Sequence, residues 1–311
     1  MAFTLLTMHK RPADPPDSQA PLGLVAIAAA AALWAVAATV ARRLFDEGMD
    51  PLELVEARSW IAAAGLALVP GAWKAKGGSG DRRSVVAMGI AIALVNAAYY
   101  TAIDRLPVAV AIVLQYSAPA AVVAYAALVY KRKPSPQMLV AVVVTFVGVV
   151  LVSELPQGDL SGIDAFGLLM GLGAALFFAS YTLISERAAA GYGSFGALLR
   201  GFAVASLFWV LFQIPRGFPG DLFESENIPD VLFVGVFGTL VPFVLYIWGV
   251  QRVRAERAAV AATLEPVLAA LVAWLWLDQV LSPMQLFGGA MIVAAVLSLQ
   301  VRQRKAAPVE P

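Results

Sequence analysis

LPVAVAIVLQYSAPAAVVAYAALVYKRKPSPQMLVAVVVTFVGVVLV (residues 106–152) decides the fold, because RAERAAVAATLEPVLAALVAWLWLDQVLSPMQLFGGAMIVAAVLSL (residues 254–299) repeats its frame. A shift of 147 residues lays Tyr99 on Tyr246, Arg105 on Arg252, Pro119 on Pro266 and Ser135-Pro136 on Ser282-Pro283. There are 11 identities over positions 99–149 without a gap. Alanine and valine matches are cheap in this composition, whereas the Arg, Pro and Ser-Pro matches are not. Upstream, Thr39 falls near Thr182 and Arg58 near Arg200 at a shift of 142–143. The chain therefore divides into two related halves, residues 22–153 and 164–301, between tails 1–21 and 302–311.

Working outward, the chain is 311 residues long, 60% hydrophobic and only 14% charged, against roughly 25% charged in soluble domains. Its mean hydropathy is +0.79. A membrane-crossing helix needs about 20 apolar residues. The segments that qualify are 22–41, 51–72, 84–103, 107–130, 136–153, 164–186, 195–214, 229–249, 257–277 and 283–301. They are apolar throughout rather than alternating, so helices are expected and a β-barrel is not. The fold class read from this is an all-α integral membrane protein of ten transmembrane helices, as two inverted five-helix repeats. An odd number of crossings per half forces the halves to lie in opposite directions, an arrangement of many secondary transporters. With the N-terminus inside, inner segments hold 16 Lys and Arg and outer segments hold Arg42, Arg43, Arg105 and Arg216. That bias places both termini in the cytoplasm and the chain in the inner membrane. Gly167 and Gly171 form a GxxxG pair, a device for close packing within the bundle or at a dimer face.

The two stretches quoted above resemble the EamA-type transporters of the drug/metabolite transporter superfamily. In that family each half closes with a proline-bearing helix, a short polar turn and a glycine-containing helix. The family often ends the fourth and ninth helices with Gly-Glu; here those ends read Tyr130-Lys131 and Leu277-Asp278. The resemblance implies export of amino acids and related metabolites, and other members move different small solutes.

Ionisable groups at membrane depth are the candidate site. Each proline removes a backbone donor and clashes with the carbonyl four residues back, which is Gln115 for Pro119 and Ala262 for Pro266. Both are candidate hinges, or ordinary kinks. Glu265, beside Pro266, is a candidate for a substrate ammonium group or for the coupling proton; its alternative is a structural acid. Arg58 and Arg200 are candidates for attracting a substrate carboxylate or closing gates through Glu53 or Glu56; otherwise each snorkels to a headgroup or pairs locally. Glu53 and Glu56 are expected at the interface. Trp34, Asn96, Tyr99, Tyr100, Gln115, Tyr116, Tyr181, Tyr246 and Thr263 are polar or aromatic groups that lipid disfavours. They either line a cavity for an amphipathic solute or bond helix to helix. Trp73, Trp248, Trp274 and Trp276 fall near helix ends, as interfacial anchors do.

These features weigh between function classes. The chain has no cysteine, and its one histidine, His9, lies in the tail, so no metal site and no cofactor are expected. A membrane-embedded enzyme would use His, Cys or paired aspartates, and those are missing. No phosphate-binding P-loop is present, so ATP does not drive the chain directly. The expected partners are a small-molecule substrate and the lipid bilayer, with no nucleic acid, in a monomer or homodimer. The leading reading is a secondary transporter, an exporter of a small metabolite working by alternating access. The rival is a lipid or lipid-linked sugar translocase of the same fold.

Overall fold

The structure, a computed structural model, describes residues 19–74, 79–157, 163–215, 217, 227–277 and 280–306. His9, Arg216 and Asp278 lie outside the described residues, as does the side chain of Trp276. Among the described residues every regular element is helical and there is no strand. The first half contains α1 (Ala20–Asp46), α2 (Pro51–Ala67), the short α3 (Pro70–Lys74), α4 (Ser79–Arg105), α5 (Val108–Gln115), α6 (Ala118–Leu128) and α7 (Pro136–Val152). The second contains α8 (Ala165–Gln213), α9 (Ile228–Gly235), a π-helical turn (Val236–Leu240), α10 (Val241–Val253), α11 (Ala255–Ala262), α12 (Leu264–Leu277) and α13 (Pro283–Ala306).

Local chemistry explains the starts of these helices. Asp50 Oδ1 accepts from the Leu52 N–H at 2.7 Å, with Pro51 at the first helical position. The Ser-Pro pairs of the repeat are the same device used twice. Ser135 Oγ accepts from the Met138 N–H at 3.2 Å, and Ser282 Oγ from the Gln285 N–H at 3.2 Å. Serine supplies the missing acceptor, and the proline behind it has no N–H to leave unpaired. The stretches expected as separate helices at 164–186 and 195–214 are two helices, taken together here as α8, that meet at a sharp kink at Gly193 (φ 67°, ψ 169°), a backbone region that glycine enters without a Cβ penalty.

Contacts between helix ends sort the bundle into two ends. At one, Arg42 donates to the Ile103 carbonyl, Arg43 pairs with Asp230 and Arg105 pairs with Asp164. At the other, Gly23 lies against Arg252, Arg200 donates to the Ala72 carbonyl, and Arg132 meets Glu186 and Glu256. The broadest helix–helix packing joins α4 to α8 across the halves. There Gly89 and Gly201 let the backbones close: a Cβ on Gly89 would stand 2.4 Å from the Gly201 carbonyl oxygen. Gly167 and Gly171 pack within the chain, against Leu106 and Leu114.

The outward surface is apolar. Leu139, Val143, Leu169, Leu176, Leu207 and Leu286 are exposed along the helices. On a soluble protein so broad an apolar belt would be an aggregation surface; here it is the face that meets acyl chains. Five helices among the described residues are long and apolar enough to cross a membrane, and Pro136–Val152 and Pro283–Leu299 are shorter apolar helices. Trp73 and Trp274 stand exposed near the ends of theirs.

Candidate functional site

Two broken helices, one per half, meet inside the bundle. In the first half, helical bonding lapses at Tyr116–Ser117, and Pro119 sits in the first turn of α6. In the second it lapses at Thr263, and Pro266 sits in the first turn of α12. At each break a hydroxyl bonds back to the carbonyl three residues earlier. Ser117 Oγ donates to the Leu114 carbonyl at 2.7 Å, and Thr263 Oγ1 to the Val260 carbonyl at 2.6 Å. The breaks touch through a side-chain hydrogen bond: the Tyr116 hydroxyl donates to Glu265 Oε2 at 2.5 Å. Glu265 is 7% exposed and Tyr116 3%.

A third proline shapes the opposite wall. Pro242 follows Gly238 by four residues and so removes the donor that would have bonded the Gly238 carbonyl. The helix widens there into the π turn Val236–Leu240, a rare element that gathers at functional sites. The loosened Gly238 carbonyl accepts from Arg58 Nη2 at 2.5 Å, and Thr239 Oγ1 accepts from Arg58 Nε at 2.6 Å. Thr239 passes its own proton on to the Val234 carbonyl at 3.0 Å. The Arg58 guanidinium also lies 4.8 Å from the Tyr100 ring centroid. These bonds take Nε and one terminal nitrogen of an Arg58 side chain that also lines an internal cavity.

That cavity, about 50 Å³, is bounded by Trp34, Arg58, Asn96, Tyr99, Tyr100, Gln115, Tyr181 and Glu265 among the sequence candidates. A second, about 230 Å³, meets it at Tyr99 and Glu265 and is lined by Tyr116, Pro266 and, toward one end of the bundle, Arg42. Its volume is below the roughly 300–1,000 Å³ of pockets for drug-sized ligands, which sets the scale of a small metabolite. The Tyr99 hydroxyl and Gln115 Oε1 are buried there without a protein partner. Asn96 Nδ2 donates back along its own helix to the Ile92 carbonyl at 2.8 Å.

The remaining candidates stand elsewhere. Tyr246 is fully buried one layer behind the lining, paired with Thr182 Oγ1 at 3.1 Å, with its ring 5.4 Å from Trp34. Thr263 is occupied by the helix break. Arg200 caps the Ala72 and Gly196 carbonyls at 3.0 and 2.9 Å and stacks 4.3 Å from Tyr192. Glu56, expected at the interface, is instead fully buried between α2 and α8, where Gln213 donates to it. Sequence reading passed over Ala37, Ala38, Gly238 and Phe243 of the cavity wall. Pro242 was the available sign for the last two. Among the described residues no group of His, Cys, Asp or Glu is arranged to hold a metal ion.

The ion pairs differ sharply between the two ends. At the Arg42 end, Arg43–Asp230 and Arg105–Asp164 are solvated, with Arg43 60% exposed, and exposed pairs contribute about 0–1 kcal/mol. At the other end Arg132, 9% exposed, lies 3.3 Å from Glu186 and 3.2 Å from Glu256. Stripping one partner from such a buried group costs about 3–5 kcal/mol. Burial alone would lower the Arg132 pKa, but the two carboxylates raise it by more, so the cation holds its proton at any working pH.

An apolar-coated helical bundle whose buried acid and arginine line an internal cavity is a multi-pass membrane protein. The model of the EamA-like transporter family matches the chain twice, at residues 21–154 and 165–300, and the chain belongs to that family. It is 28% identical over 236 residues to the threonine/homoserine exporter RhtA of Escherichia coli (strain K12), a match covering 75% of this chain and 76% of that protein. An uncharacterized transporter of Archaeoglobus fulgidus is 28% identical over 215 residues, covering 69% and 75%. A solved crystal structure with 19% identity superposes with a TM-score of 0.72 over 94% of this chain and 99% of its own, a likeness of fold.

Proposed function

We propose that the chain is a secondary transporter that exports a small zwitterionic metabolite, an amino acid or close relative, by alternating access. In this reading ten helical crossings form two inverted five-helix repeats in the inner membrane. Residues 1–21 and 302–311 are cytoplasmic tails, and the Arg132 end of the bundle faces the cytoplasm. The carrying observation is that Glu265 and Arg58 line the same cavity inside the bundle. A carboxyl and a guanidinium group suit the ammonium and carboxylate of an amino acid. The unpartnered Tyr99 hydroxyl and Gln115 Oε1 suit a further polar group on the solute. The relative named as a threonine/homoserine exporter supports the same class. Glu265 binds the ammonium group or exchanges the driving proton, while Pro119 and Pro266 mark the hinges. The chain binds and releases its solute unaltered.

The test is counterflow in liposomes with labelled threonine, homoserine and a panel of other amino acids. Saturable uptake is expected for at least one. Glu265→Gln is expected to cut its initial rate about tenfold or more, the scale of a lost hydrogen bond to a charged group. Normal transport by Glu265→Gln across the pH range would sink the role given to this acid. Scrambling of a labelled phospholipid with no saturable amino-acid signal would transfer the assignment to lipid translocation.

A further inference from the structure

We propose that Arg132, Glu186 and Glu256 form the latch that closes the cytoplasmic end of the pathway, and that α11 is the lever linking this latch to the central site. The inference rests on the alternating-access reading above. Arg132 belongs to the first half, in the turn between α6 and α7, and both acids belong to the second. The guanidinium reaches Glu256 at 3.2 Å and Glu186 at 3.3 Å, and the three side chains are only 6–12% exposed. The pair of cavities, by contrast, extends from Glu265 toward exposed Arg42 at the opposite end. Between Glu265 and the latch, Ala258, Ala259, Val260, Ala261 and Ala262 are all buried. The path is therefore shut on the Arg132 side.

A helix end adds to the hold on the second acid. Glu186 Oε1 accepts from the Ala255 N–H at 2.6 Å, so the carboxylate sits on the positive N-terminus of α11. The preceding residue, Arg254, is held at φ 72° and ψ 159°, a conformation almost confined to glycine. The closed latch thus holds a strained junction at one end of α11. The other end of α11 is the Thr263 break that carries Glu265. Releasing Arg132 frees Glu256 on this lever and loosens the Glu186 cap, which lets the arm swing about Thr263.

The chain has no cysteine, so a single reporter thiol suffices. Ala259→Cys places it on the buried face of α11, and a membrane-impermeant maleimide is applied from the cytoplasmic side. Adding Arg132→Ala is expected to speed labelling about tenfold or more, as a released latch shifts the population toward the open state. Arg132→Glu with Glu256→Arg restores one cation between two acids and is expected to return labelling to the slow rate. Should Arg132→Ala fail to fold, Glu256→Gln, which keeps the Glu186 pair, is expected to speed labelling by a smaller factor. An unchanged rate in the folded variant, or no slowing in the swapped pair, overturns the latch. Labelling needs no substrate, so a failed transport assay with intact latch behaviour counts against the proposed solute alone.

Discussion

At position 118 the first broken helix carries alanine; 147 residues later the second carries Glu265. Pro119 and Pro266 lie in register, a hydroxyl bonds back to the carbonyl three residues earlier at both breaks, and the two breaks face each other across the bundle. Backbone geometry was kept in both copies, and charge was given to one. The first break supplies donors and aromatic surface through Gln115 and Tyr116; the second supplies the acid. In the proposed cycle the symmetric part serves motion, since two copies of one hinge let the halves exchange shapes, and the asymmetric part serves binding, since a single carboxylate gives the solute one orientation.

Placing an acid in the uncharged copy is the harshest test of that division. Ala118 is 1% exposed in the packed first turn of α6. Ala118→Glu is expected to destabilise the protein by several kcal/mol, because a second buried carboxylate would find no built partner. Size-exclusion profiles in detergent should show loss of the monodisperse peak, while Glu265→Ala keeps it. A well-folded Ala118→Glu protein would mean the two breaks are interchangeable and the comparison empty.

The same comparison shows what the sequence could say. Proline positions are legible because a proline acts on the backbone wherever it stands, so both breaks could be read from Pro119 and Pro266. Glu265 was legible because a carboxylate in twenty apolar residues has few places to go. Pro242 was equally visible, yet its segment was read as an uninterrupted helix over 229–249. Its effect depends on whether a partner takes the loosened Gly238 carbonyl, and that partner, Arg58, lies 180 residues away. Arg200 shows the opposite failure. It matches Arg58 in the repeat, but its guanidinium caps the Ala72 carbonyl, a distant backbone contact that no local pattern encodes. Arg132 read as one of three positive residues in an inner turn, and only the approach of α8 and α11 gives it two acids.

A smaller effect is expected where the two copies touch. Tyr116→Phe removes the donor to Glu265 and keeps the ring, which packs at 3% exposure. Hydrogen bonds to charged groups are worth about 1.5–3 kcal/mol, so initial transport rates should fall about tenfold with folding intact. Tyr99→Phe removes a hydroxyl without a protein partner and should leave the fold unchanged while raising the solute concentration needed for half-maximal rate. If Tyr116→Phe left the rate untouched, the breaks would be neighbours without being coupled.

The mildest substitutions probe the shared part. Pro119 and Pro266 both lie in first helical turns, where a missing N–H costs little, so replacing either by alanine should change thermal stability by less than about 1 kcal/mol. Their effects on transport should nevertheless differ. Alanine at 119 lets the first break re-form helical bonds around residues that carry no charge. Alanine at 266 does the same beside Glu265, and turns the carboxylate relative to the Tyr116 hydroxyl it meets at 2.5 Å. Pro266→Ala should therefore slow counterflow several-fold more than Pro119→Ala, with both proteins eluting and melting like the parent. Equal losses would show that hinge motion limits the cycle and that the aim of the acid does not. A larger loss at 119 would reverse the assignment of binding to the second copy and motion to both.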